Sequence, residues 1–537
     1  MLRGLFRVVS LVISWLDAFF NTNKRLFPAR LAYKHELSDL EVTEFNGNHL
    51  YIGEGEYGQV YAVLPTKKRR ELGNIIQLGT TRCGKSSAEL CQIVDWEGSA
   101  IIFDIKREIY PKVAGFLATR GRVLNIDLSR GLGNRYDPLQ GHTSERELHK
   151  LAKHLVFDPH DKETIFNERA AKMLTQLFLA ARELGQRPLP YVASVINLGL
   201  NEVASRLNAV SPILAQKFLD TTYQPGKDYE KSEFRADAWG TLSTRLYSFL
   251  TPDIVGCFAG SDFTAADLYF ADKPVFVFLS FHESDLLSMA PLIKFICESL
   301  MMELITAYDD ATEAMKKKAR RILWSMDEAG RMGIPNLPEH ASTVNGRNIS
   351  LSMSAQSRSQ FTAVYGRYRT ENLFTNIRTQ LVFCQADFDT AKHYSDRMGD
   401  TSGFAHSESE HGRETSSTGK SGRGIPLMSP QDFEEMDDGE LVCFIGKKKR
   451  FRLKSMDWRR HPALLKRIGM KPPTLTPLPP LKDGQPEHAP AQNPQPLPAW
   501  HFDPQLFRKW PQYVSAERGV GENAQDTNQV HEVSLGM

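Results

Sequence analysis

The octapeptide Gly79-Thr80-Thr81-Arg82-Cys83-Gly84-Lys85-Ser86 constrains this chain more than any other feature. It satisfies G-x-x-x-x-G-K-S/T without a mismatch, and its surroundings suit it. Asn74-Ile75-Ile76-Gln77-Leu78 before it reads as a short buried strand, and Ser87 onward reads as helix. A strand–loop–helix of this kind points backbone N–H groups and the positive end of a helix at one spot. The expected roles follow from the pattern. Residues Gly79 to Ser87 wrap the phosphates of ATP, Lys85 reaches the β- and γ-phosphates, and the Ser86 hydroxyl binds Mg²⁺.

Such a loop needs an acidic partner. Ile322-Leu323-Trp324-Ser325-Met326 is an apolar run, interrupted by one serine, that ends in Asp327-Glu328. Two carboxylates at that point divide the work of an ATPase: Asp327 supports Mg²⁺ and Glu328 polarises the attacking water. The next strand after the loop helix, Ala100-Ile101-Ile102-Phe103-Asp104, gives a βαβ unit. A second glycine pattern, Gly53-Glu54-Gly55-Glu56-Tyr57-Gly58-Gln59-Val60, fits the kinase loop. Neither His-Arg-Asp nor Asp-Phe-Gly occurs in the chain, so the segment reads as a β-hairpin.

The organisation that emerges is an α/β fold: a RecA-like ATPase domain with a central, mostly parallel sheet, interrupted by an all-helical insertion. The expected boundaries are 1–24 for an amphipathic helix, 25–141 and 251–468 for the two parts of the nucleotide-binding domain, and 142–250 for the insertion. Within the insertion, Thr164 to Leu184 carries apolar residues at helical spacing. Residues 401–424, rich in Ser, Gly, His and Glu, are expected to form a mobile surface loop. Residues 469–537, dominated at first by proline, are expected to be a disordered tail.

The net charge of +2 gives no global basic field for nucleic acid. Lys447 to Arg450, with Arg452, Lys454, Arg459 and Arg460, is the densest basic stretch and reads as a solvated strand edge. The six cysteines fall singly, without a C-x-x-C pair, which excludes the usual zinc spacings and fits a reducing compartment. Leu5, Val9, Val12, Leu16 and Phe19 form one helical stripe near the N-terminus, opposite Arg3 and Arg7. The uncharged run Val8 to Leu16 is far shorter than the roughly 20 residues a spanning helix needs, so peripheral membrane or partner contact is expected.

With these motifs placed, the chain resembles the TraG/TraD-like coupling proteins of type IV secretion and conjugation. Asp104-Ile105-Lys106-Arg107-Glu108 is similar to the family's Asp-Pro-Lys-Gly-Glu, departing at Ile105 and Arg107. Asn134 to Leu139 resembles its Asn-Pro-Leu element, with Asp137 for Asn. Gly330-Arg331, Ile334-Pro335, Gln356-Ser357, Gln360, Tyr365-Gly366, Asp389-Thr390-Ala391 and Met398-Gly399 follow in family order. The resemblance implies ATP and Mg²⁺ as cofactors, a homo-hexamer, and γ-phosphate sensing by Gln356. It implies a DNA–relaxase complex or a secreted protein as cargo, type IV secretion channel subunits as partners, and a place at the cytoplasmic face of the bacterial inner membrane or in the cytoplasm. Gln380 stands where the family carries an arginine, which leaves Arg378, two residues earlier, as the candidate intersubunit arginine. Two other readings remain open: a DNA-pumping ATPase of the FtsK/HerA type, and a nucleotide-ordered substrate-receptor scaffold.

Overall fold

The computed structural model describes residues 28–65, 71–157, 164–411 and 415–478. The N-terminal stripe between Leu5 and Phe19 lies outside them. Fifteen strands are described: β1 (Glu41–Val42), β2 (Leu50–Glu54), β3 (Val60–Val63), β4 (Ile75–Leu78), β5 (Ser99–Asp104), β6 (Arg122–Asp127), β7 (Leu132–Gly133), β8 (Val275–Ser280), β9 (Ile322–Met326), β10 (Ile349–Ala355), β11 (Thr379–Phe383), β12 (Asp400–His411), β13 (Thr415–Pro426), β14 (Glu440–Ile445) and β15 (Phe451–Lys454). Thirteen of them make one sheet in the order β1-β3-β2-β15-β14-β11-β4-β10-β9-β5-β8-β6-β7. From β11 to β6 every neighbouring pair is parallel. The flank from β14 to β1 is antiparallel throughout.

The parallel strands are apolar runs because both their faces are covered. Successive side chains feed two separate cores. Ile101 and Phe103 join one with Trp324 and Met326, while Ala100 and Ile102 join the other with Leu323. The first core continues into the helices between β7 and β8 and into the helix Ala290–Asp309. The second packs helix α1 (Lys85–Asp95), helix α2 (Ile109–Arg120) and the antiparallel flank. The sequence Gly53 to Val60 is a β2–β3 hairpin, as its reading as a turn required.

Between β7 and β8 the described residues hold eight helices and no strand. The helix Thr164–Glu183 matches its apolar spacing. Helices also continue past residue 250, through Pro252–Gly256 and Ala265–Phe270. Both are too short to display a periodicity, and the second is marked only by its Thr264–Asp267 capping box.

Three expectations are corrected. The stretch expected as a mobile loop pairs instead, β12 against β13, in an antiparallel ladder from Asp400↔Pro426 to His411↔Thr415. Ladder hydrogen bonds use backbone groups alone, so a composition without apolar alternation conceals them. The tail expected to be disordered from residue 469 stays on the core as far as Leu478. Gly469 N–H donates to the Lys112 carbonyl at 2.7 Å, Gly133 N–H to Thr476 at 2.8 Å, and Tyr110 Oη to the Pro473 carbonyl at 3.0 Å. Proline removes donors but leaves carbonyls, and here the Thr476 carbonyl accepts from β7 at the edge of the sheet and the Pro473 carbonyl from Tyr110 on α2. The basic stretch is no sheet edge: β15 lies between β14 and β2, with Arg452 and Lys454 on its exposed face.

Candidate nucleotide-phosphate site

Helix α1 begins directly from the loop. Gly84 occupies its N-cap position at φ 102°, ψ 0°, a left-handed conformation that favours glycine, and no side chain caps the first turn. The first N–H groups are therefore directed at whatever anion the loop holds. Gly79 is needed for space: a Cβ there would stand 2.5 Å from that of Phe383. Neighbouring strands fasten the loop, Gly79 N–H donating to the Ala355 carbonyl at 3.2 Å and Thr80 N–H to Cys384 at 3.0 Å. Lys85 is buried, and its Nζ donates to the Gly79 and Thr80 carbonyls, each at 2.6 Å. Thr81, Arg82 and Ser86 are exposed, Ser87 is half-buried, and Cys83 is buried with its thiol pKa raised by that burial.

The other chemistry-bearing residues meet this loop because their strands are its neighbours. β10 runs beside β4 with Ala355 opposite Leu78, so Gln356 follows β10 where Gly79 follows β4. β9 is next, with Met326 opposite Met353, and places Asp327 and Glu328 at the same end of the sheet. These are the carboxyl ends of parallel strands, where open α/β sheets bind ligands. Ser354 Oγ donates to Asp327 Oδ1 at 2.5 Å. Glu328 has φ 59° and ψ 35°, a left-handed conformation uncommon for a side-chain-bearing residue and characteristic of functional sites. Its carboxylate is buried, Oε1 lies 4.0 Å from Lys106 Nζ, and Oε2 has no hydrogen-bond partner among the described residues.

This donor set suits a magnesium nucleotide. Ser86 and Asp327 are oxygen ligands of the kind Mg²⁺ takes, and an unpartnered buried carboxylate oxygen suits an incoming water. The serine that interrupts the apolar strand also finds its reason: Ser325 Oγ donates at 2.6 Å to Glu89 Oε1, which α1 buries beside the site. Burial, and then the Asp327 carboxylate, push the Glu89 pKa well above the usual carboxylate range. Glu89 and Ser354 escape sequence reasoning because only the folded sheet brings them to the loop, and Lys106, within the Asp104–Glu108 element, gains its place beside Glu328 in the same way. Ser354 left one trace, the alternation of serine with apolar residues along β10.

The weaker motifs also meet. Gln356 N–H donates to Gln360 Oε1 at 3.1 Å, and a Cβ on Gly330 would stand 2.6 Å from that oxygen. Tyr365 Oη donates to the Ile334 carbonyl at 2.7 Å, and Arg358 N–H to Thr390 Oγ1 at 3.1 Å. Arg378 is not brought to this group. It precedes β11, whose Thr379 pairs with Ile75 at the far end of β4, roughly 13 Å along the strand from Gly79. It is exposed and passes over Gly446. Gln380 is buried, donating to the Phe374 and Ile377 carbonyls and accepting from Tyr394 and Arg397.

Loop, acidic strand end and glutamine, on three adjacent strands of such a sheet, define a P-loop protein of RecA-like fold. The chain belongs to the family described as type IV secretory system conjugative DNA transfer, whose model matches residues 31–474. The conjugal transfer protein TraG of Escherichia coli is 22% identical over 389 residues, 67% of this chain and 61% of that one. The chain thus spans less than two thirds of that relative. Among solved structures, the plasmid coupling protein TrwB in complex with ADP and Mg²⁺ aligns at TM-score 0.54 and 15% identity, covering 72% of this chain and 85% of that one. The unbound monoclinic form of the coupling protein TrwBdeltaN70 aligns at TM-score 0.54 and 14% identity, covering 71% and 84%. Identities this low establish the fold.

Proposed function

We propose that this chain is an ATP-hydrolysing coupling protein, which drives DNA–relaxase or protein cargo into a type IV secretion channel. The observation that carries the proposal is the meeting of Lys85, Asp327, Glu328 and Gln356 at one end of three adjacent strands. In this reading the loop from Gly79 to Ser87 and Lys85 hold the phosphates of ATP. Ser86 and Asp327 hold Mg²⁺, Glu328 accepts a proton from water, and Gln356 contacts the γ-phosphate. Family membership and the ADP and Mg²⁺ bound by TrwB support this assignment. The inserted domain expected over 142–250 is extended to take in the helices as far as Phe270, and the working form is a hexamer with ATP at subunit borders. Among the described residues no helix is long and apolar enough to cross a membrane. We place the protein peripherally at the inner membrane through channel subunits and the N-terminal stripe.

Single-stranded DNA is expected to raise ATP turnover by the full chain severalfold, read as phosphate release with and without DNA. Cargo binding should fall when Glu328 is replaced. Turnover indifferent to DNA, with cargo binding that survives loss of Glu328, would favour a nucleotide-ordered scaffold instead.

Arg378 is proposed to act on the neighbour's nucleotide, since its own loop lies at the other end of the strand. Mixing Arg378→Ala with Lys85→Ala subunits should then restore part of the activity that each lacks alone, because mixed borders pair an intact loop with an intact arginine. Intact assembly without restoration at any ratio would exclude the intersubunit role.

A further inference from the structure

A bound triphosphate has two ends, and the sheet determines which way it lies. Lys85 serves the β- and γ-phosphates, and Asp327 and Glu328 stand for the γ end on the β9 side of β4. The nucleoside therefore leaves on the opposite side, toward β11, β14 and β15. That side is built from two stretches to which the phosphate chemistry gives no role: the glycine hairpin of β2–β3 and the end of the basic run.

These stretches converge on the first turn of α1. Ser455 Oγ donates to the Gly84 carbonyl at 2.9 Å, and Ser87 Oγ lies 3.4 Å from Asp457 Oδ1. The segment after β15 thus touches the two positions that flank Lys85 and Ser86. Buried Glu54, at the end of β2, holds it there. Its Oε1 accepts from Asp457 N–H at 2.8 Å and lies 2.9 Å from His461 Nε2, while Arg460 Nη1 is 3.6 Å from Oε2. Asp457 Oδ1 accepts from Arg459 N–H at 3.1 Å and Arg459 Nε at 2.9 Å. Oδ2 has Arg460 Nε at 3.9 Å and no hydrogen bond among the described residues. Arg459 and Arg460 are 66% and 58% exposed in their side chains.

We propose that Asp457 is the sugar-binding residue of this site, its Oδ2 accepting a hydrogen bond from a ribose hydroxyl of the bound nucleotide. The proposal rests on the triphosphate reading above and adds the nucleoside end to it. A carboxylate is an acceptor suited to ribose hydroxyls. Beside an α-phosphate it would repel the ligand on its own, and the Arg459 and Arg460 guanidiniums offset that charge. Glu54 is the positioning residue that fixes the Asp457 backbone.

The test uses the full chain with Mg²⁺ and compares equilibrium binding of ATP, 2′,3′-dideoxy-ATP and inorganic tripolyphosphate. Wild type is expected to bind ATP about tenfold or more tighter than the dideoxy analogue, the worth of one hydrogen bond to a charged group. Asp457→Ala should bind ATP no tighter than the analogue, with tripolyphosphate affinity unchanged. Asp457→Asn, which keeps the shape and one acceptor, should show a reduced preference and serves as the measure if the alanine variant fails to fold. Either variant retaining the full preference for ATP would overturn the sugar assignment. So would equal weakening of ATP and tripolyphosphate, which would make the segment a prop for the loop. Wild type that binds neither ATP nor tripolyphosphate would overturn the phosphate-loop reading itself, and this proposal with it.

Discussion

Replacing Lys85 by alanine is expected to lower affinity for magnesium ATP by roughly two to four orders of magnitude. The estimate takes two hydrogen bonds from a charged donor at about 1.5–3 kcal/mol each. The side chain is buried, and its ammonium carries donors that the Gly79 and Thr80 carbonyls accept at 2.6 Å. Those carbonyls belong to the loop that wraps the phosphates, so the same cation that would meet a phosphate already stands beside it. Alanine removes the charge and also the two contacts that draw the loop over the amine. Equilibrium titration with ATP, alongside a melting curve, separates the two effects. A folded Lys85→Ala protein that binds ATP within threefold of wild type would mean that this loop is not the nucleotide site.

The sequence made the centre of the site legible and left its surroundings hidden, for a physical reason. Loop, acidic strand end and Gln356 are each local: a turn of fixed length or the last residues of an apolar run, which a linear reading can see. Their meeting depends on β4, β10 and β9 being neighbours, and strand order is not written in any one segment. Glu89 sits four residues past Lys85 on a face of α1 that reads as one more helical position. Only the burial of α1 against β9 turns it into a buried acid that accepts a hydrogen bond from Ser325 and has its pKa raised. Asp457 lies in a basic run whose charges suggest solvent, yet buried Glu54 folds that run back onto the loop helix. The β12–β13 ladder and the seating of residues 469–478 were missed for a related reason. The ladder depends on backbone hydrogen bonds, to which side-chain composition is blind, and the tail is seated largely through its backbone N–H and carbonyl groups. Gln380 shows the converse case. The missing family arginine was visible in the sequence, and the structure shows what stands in its place: a buried amide hydrogen-bonded within its own chain.

Replacing Glu328 by glutamine should separate binding from hydrolysis. The amide has the size of the carboxylate and keeps the left-handed backbone turn undisturbed, so ATP affinity is expected to stay within about threefold of wild type. It cannot accept a proton from water, and positioned general bases contribute about 10²–10⁴-fold to rate. ATP turnover should therefore fall by at least about a hundredfold, read as phosphate release at saturating ATP. The environment supports a group held ready for a water: Oε2 is buried without a partner, and the nearest cation, Lys106, stands 4.0 Å from Oε1 and makes no hydrogen bond to it. A buried acceptor left in this state costs stability that an amide would cost less, so the glutamine variant should melt no lower than wild type. That combination distinguishes a catalytic carboxylate from a structural one, whose loss would lower the melting temperature and leave turnover per folded molecule intact. Turnover at the wild-type rate in a folded Glu328→Gln protein would remove Glu328 from the chemistry and move the search for the base to the other carboxylates at this end of the sheet.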